Sequence, residues 1–169
     1  MKSIGIIRRI DELGRIVIPK EIRNNLKITE NDKLEVFLEE DKIFIKKHTI
    51  LDKNLNIINI YGNVLNNITS KNVIITNRNN IIFCNSIIQD KFLNKELNDG
   101  IIGIINDRKS VIGNELEIIK NIKIQNYIAY PIIINSDSIG LIVLFGDSIT
   151  DKDKISIEII SKIVNQCLE

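Results

Sequence analysis

The sequence has no tryptophan, one histidine, one methionine, two prolines and two cysteines among its 169 residues. Cys84 and Cys167 form no metal or redox spacing, so each is expected to be a small buried thiol and no metal site is expected. The single histidine, His48, lies outside the second half of the chain, and no Ser or Cys has a partner for nucleophilic chemistry. We therefore expect a non-enzyme without a cofactor. Apolar runs are short, Leu141-Ile-Val-Leu-Phe145 being typical, far below the ~20 residues that span a bilayer. Arg8 and Arg9 interrupt any apolar leader, so a cytosolic protein with no membrane partner is expected. Aromatics make up 5% of a composition dominated by Ile, Asn and Lys. That bias blurs the reading of strands, because isoleucine occurs everywhere.

Net charge is also nearly absent, at +1, yet it is unevenly placed. Residues 1–27 hold seven bases against three acids, a net +4, while residues 28–48 hold four against six. Four of the six arginines fall in the first 23 residues: Arg8, Arg9, Arg15 and Arg23. Elsewhere the positive charge comes almost entirely from lysine. Arginine's planar fork pairs bidentately with phosphate or the O6/N7 edge of guanine, whereas lysine is a mobile point charge. The cluster reads as a nucleic-acid contact surface, with Lys2 and Lys27 as peripheral phosphate contacts. The alternative is a solvated surface with structural ion pairs, such as Arg9 with Asp11 or Arg23 with Glu21.

At this length the chain holds one medium domain or two small ones. The pattern predicts strands over 4–10 and 15–18, joined by Asp11-Glu12-Leu13-Gly14 with Gly14 suited to positive φ. Pro19 opens a short helix from Lys20 to Leu26 at its first position. Leu34/Val36/Leu38 and Ile43/Ile45 then form a hairpin around Glu39-Glu40-Asp41-Lys42. This ββαββ unit of 48 residues is too small to bury its own core, so it is expected to share one with a second copy. The domains are expected to span 1–50 and 51–169, with His48 as a linker residue.

From Leu51 to Ile68 the period becomes helical, with two apolar stripes. Leu51, Leu55, Ile58, Leu65 and Ile68 form one, with Gly62 in register; Ile57, Ile60/Tyr61 and Val64 form the other. The first stripe is expected to meet another chain, within a dimer or between dimers as a tetramer. If both stripes are internal, that role passes to the C-terminal helix with Ile155, Ile159 and Ile163. Two hairpins, 72–84 and 127–145, frame helical stretches near Gln89–Leu93 and Leu97–Asp107. Pro131 is expected at an edge or bulge, and Thr150 or Asp151 caps a final helix with Ile155, Ile159, Ile163 and Cys167 on one stripe. The second domain reads as α-ββ-α-α-ββ-α, an α+β sheet with helices packed on it.

The segment from Gly5 to Arg23, with Arg8-Arg9, Asp11, Leu13-Gly14-Arg15 and Ile18-Pro19-Lys20-Glu21-Ile22-Arg23 at the family's spacing, closely resembles the AbrB-type swapped-hairpin DNA-binding domain. The remainder resembles the SpoVT-type sporulation regulators, in which a GAF domain follows. The stretch Ala129-Tyr-Pro-Ile, then Ile139-Gly-Leu-Ile-Val, carries the GAF-like part. The resemblance implies an α+β chain whose N-terminal swapped-hairpin β-barrel is dimeric and is followed by a GAF-like sensor or oligomerisation domain. It further implies a bacterial, cytoplasmic, nucleoid-associated transcription regulator that binds double-stranded DNA as a homo-oligomer. The family's DNA-contacting arginines correspond to Arg8, Arg9, Arg15 and Arg23. Asn24 stands where the family often has another basic residue, and can still hydrogen-bond an adenine edge. Asn94-Lys95-Glu96 is a fragment of the motif of cyclic-nucleotide-binding GAF domains, the rest of which is missing. An apolar lining of Ile and Leu suits a small apolar ligand or a filled-in pocket. Related swapped-hairpin domains also serve as antitoxins, usually with a disordered toxin-wrapping tail. The patterned, Ile-rich chain after residue 48 argues against such a tail.

Overall fold

The computed structural model describes residues 5–26, 28, 30 and 32–169. The chain divides into two units, Met1–His48 and Thr49–Glu169.

In the first unit the expected hairpin forms: β1 (Leu34–Glu39) pairs antiparallel with β2 (Lys42–Lys47), Val36 opposite Ile45 and Phe37 opposite Phe44. Helix α1 runs Lys20–Asn25, and Pro19 takes its N-cap, φ −57° and ψ 146°, one place earlier than expected. Residues 5–10 and 15–18, predicted as strands, join no sheet. A ladder needs an edge to pair with, and neither segment reaches one inside this chain. None of the unit's described residues is buried. Ile7, Ile10, Leu13, Ile16 and Val17, with Val36, Leu38 and Ile43 of the hairpin, all stand exposed.

The second unit has a five-stranded antiparallel sheet in the order β4-β3-β7-β6-β5. Its strands are β3 (Asn72–Thr76), β4 (Ile81–Cys84), β5 (Val111–Ile119), β6 (Ile122–Ile134) and β7 (Asp137–Phe145). The pleat sends alternate side chains to opposite faces, and both are covered. Ile142 and Leu144 of β7 face the core beneath α2 (Ile50–Lys53), α3 (Leu55–Thr69) and α6 (Asp151–Leu168). Leu141 and Val143 face the core beneath α4 (Gln89–Phe92) and α5 (Asp99–Asp107). Ile50 opens α2 and packs against the first of these cores.

Two features depart from the expectation. The predicted helix from Leu51 breaks at Asn54, whose side-chain Nδ2 donates to the Ile50 carbonyl at 2.9 Å. The strand β5 and the first half of β6 were absent from the expected order. Pro131 lies beyond Ala129, the last residue of β6 paired with β5, and beside the register shift at Ile132/Ile133, so the missing N–H costs no rung on that side. Helix α6 is fastened by a capping box in which Thr150 and Asp153 satisfy each other's backbone N–H.

Candidate nucleic-acid interface

The chain between Ile10 and Ile16 turns back on itself around one side chain. Oδ1 of Asp11 accepts the backbone N–H groups of Leu13 at 3.0 Å and Arg15 at 2.8 Å. Its Oδ2 accepts Nε of Arg15 at 2.7 Å. Asp11 N–H donates to the Arg15 carbonyl at 3.1 Å, and Gly14 N–H to the Asp11 carbonyl at 3.0 Å. Gly14 sits at φ +77°, where a residue with a Cβ would be strained. The Arg15 backbone N–H, and then its side chain, hold the Asp11 carboxyl below the usual aspartate range. Asp11 thus pairs with Arg15, not with Arg9 as the alternative surface reading would have it.

Arg8, Arg9, Arg23 and Asn24 are all exposed. Among the described residues the three arginines make no side-chain hydrogen bond or ion pair within the chain. Arg23 lies in the last turn of α1. Arg8 borders an open apolar groove of about 140 Å³ floored by Ile16, Val17, Ile18, Ile22 and Ile45. Lys2 and Lys27 lie outside the described residues. At the end of β2, Nδ1 of His48 meets Oε1 of Glu35 at 2.5 Å, so this residue is tied into the first unit.

The contact stripe predicted on the helix after residue 50 requires correction. Leu51, Ile58 and Leu65 are buried in the second unit's own core, and Leu55 is partly exposed apart from them. Gly62 shows why: a Cβ there would lie 2.3 Å from the Phe83 ring, so this face meets the sheet at close range. Of the other stripe, Ile57, Tyr61 and Val64 are half-buried and pack against the same core while Ile60 is exposed, and Ile68, expected in line with Leu51, is exposed as well. On α6 the buried apolar side chains are Ile157, Ile160, Val164 and Leu168, while Ile155 and Ile159 stand exposed. The Tyr61 hydroxyl lies 3.8 Å from Sγ of Cys167, where α3 and α6 meet. Cys84 is buried as expected, but Cys167 is exposed. Burial pushes the Cys84 thiol up.

Among the described residues, no helix is long and apolar enough to cross a membrane. Residues 7–50 match the family model described as antidote-toxin recognition MazE, bacterial antitoxin. Residues 54–166 match that of the stage V sporulation protein T C-terminal domain, transcription factor. Stage V sporulation protein T of Bacillus subtilis (strain 168) is 32% identical over 152 residues, 86% of this chain and 85% of that protein. The transition state regulatory protein AbrB of the same organism is 54% identical over 48 residues, 28% of this chain and 50% of that protein. Among solved structures, the GAF domain/HD domain protein from Geobacter sulfurreducens is similar with a TM-score of 0.52 at 10% identity, over 72% of this chain and 93% of that one. At that identity the likeness is one of fold.

Proposed function

The chain belongs to the family of stage V sporulation protein T, with an AbrB-type first unit and a GAF-like second unit, and on that premise we propose how it regulates transcription. It is a sporulation-associated DNA-binding regulator of the bacterial cytoplasm, and it reads duplex DNA with residues 1–50. Arg8, Arg9, Arg15 and Arg23 make the contacts, with Asn24, Lys2 and Lys27 at the periphery. One observation carries this reading: among the described residues three of the four clustered arginines project without a partner, from a unit in which none of those residues is buried. A guanidinium that stabilises nothing inside its own chain is available for phosphate and base edges.

The bare apolar residues and open groove favour a reader completed by a second copy, because a unit this small cannot hold a core alone. The second unit, residues 51–169, joins copies further through the exposed isoleucines of α3 and α6, with Ile60, Ile68, Ile155 and Ile159 as contacts. As a GAF-like unit it is also the part proposed to take a small apolar ligand, which a thermal-shift screen of metabolites would reveal. Toxin neutralisation, suggested by the match at 7–50, fits less well, because everything from Thr49 onward packs around two cores instead of trailing as a tail.

The test is the salt dependence of binding to duplex DNA. A dimer engaging about four to eight phosphates gives a slope of log K against log salt of about −4 to −7. A flat salt response refutes the reading.

A further inference from the structure

Among the described residues, Asp11 is the one acid that holds a member of the arginine cluster. The pair is open to water, with side chains 71% and 42% exposed, so it contributes little to stability. A carboxylate beside a DNA-facing arginine also repels phosphate, and a surface selected for charge alone would not keep it. Its geometry suggests a different use. Oδ2 engages Arg15 only at Nε, while Oδ1 and the Asp11 backbone close the loop from which Arg15 projects. The Nη1 and Nη2 donors of Arg15 are left together as one fork with no partner among the described residues, its direction set by the Nε contact.

We infer that Asp11 is a specificity-determining positioning residue, which presents the Nη edge of Arg15 to the O6/N7 edge of a guanine in the major groove. This rests on the reading that Arg15 faces DNA. Ordering the fork before DNA arrives removes a rotamer cost from base recognition, while phosphate binding tolerates a swinging guanidinium. Asp11 therefore trades general affinity for discrimination.

The full-length chain is compared with Asp11→Asn, Arg15→Ala and the double variant. The probes are a duplex enriched by the wild type from a randomised pool and a scrambled duplex of equal composition. Asparagine keeps an acceptor for the two backbone N–H groups and loses the carboxylate. In Asp11→Asn the ratio of specific to scrambled affinity should fall about tenfold, one good bidentate contact's worth, with scrambled binding unchanged or tighter. In the Arg15→Ala background the same substitution should change the ratio no further. An unchanged ratio in Asp11→Asn overturns the inference, as does an equal loss with Arg15 absent, which would make Asp11 a loop residue only. A wild type that binds neither duplex overturns the DNA reading itself. Should Asp11→Asn melt early, 7-deazaguanine is placed at each guanine of the enriched duplex in turn. A wild type indifferent to every such replacement has no guanine fork, and the inference falls.

Discussion

Replacing Ile155 and Ile159 together by aspartate places two charges on the outward face of α6. In the single chain these side chains are 59% and 51% exposed and belong to neither core, so the second unit loses only their partial cover. Fully burying an isoleucine contributes about 1.5–3 kcal/mol, and roughly half of that remains to be gained at each position when another copy covers it. A two-fold face repeats both residues, and the four side chains together contribute about 3–6 kcal/mol, or roughly 10²–10⁴ in association. The aspartates must also be desolvated, which adds to the penalty. Light scattering should show the assembly falling to a smaller species, with melting of the second unit shifted by little. DNA affinity should drop as well, because fewer linked readers lowers their effective concentration. The contrasting variant is Ile58→Asp: its side chain is fully buried, so it should unfold the second unit outright. An Ile155→Asp/Ile159→Asp protein that keeps the wild-type mass would refute the assignment of this face.

Arg15→Ala and Arg23→Ala should each weaken binding to an enriched duplex by about 1–3 kcal/mol, with mass and melting unchanged. Arg15→Lys should keep part of the non-specific affinity and lose discrimination, and full specificity in that variant would make the fork irrelevant. Gly62→Ala drives a methyl into the Phe83 ring and should cost about 1–3 kcal/mol by overpacking, read as a lower Tm; a neutral result would mean that α3 lifts off freely. Asp153→Ala breaks the reciprocal cap with Thr150 and should cost about 0.5–2 kcal/mol in urea unfolding.

Elements whose signal is local were legible in the sequence. Pro19 ahead of Lys20, Thr150 ahead of Asp151, and the turns at 40–41 and 77–80 mark the ends of α1, α6 and two hairpins. Strand β5 was hidden because Glu115 and Glu117 on it, facing Gln125 and Lys123 of β6, interleave charge with Ile and Leu on an edge of the sheet. Such alternation reads as loop or as half-buried strand equally well where isoleucine is everywhere. Which apolar stripe of α3 faces inward was a harder question, since both carry the same residue types. Gly62 was the available clue, a position without a side chain where a ring comes close. The arginine cluster was legible as a composition contrast, but the hold of Asp11 on Arg15 was not. It depends on a loop that brings residues four apart into contact, while the pairing with Arg9 suggested by sequence places them two apart. The segments 5–10 and 15–18 carry strand-forming sequence yet join no sheet within the single chain, and on the reading that a second copy completes the first unit their pairing partner lies in that copy.

The first unit's lack of an interior also bears on gene dosage. On the reading that two copies complete one reader, the number of readers at low abundance rises with the square of chain concentration, so a twofold change in synthesis gives roughly a fourfold change in readers. The second unit has its own cores and needs no such encounter to fold. Newly made chains would therefore accumulate as finished bodies with unfinished heads, and switch on together once they are numerous enough to meet.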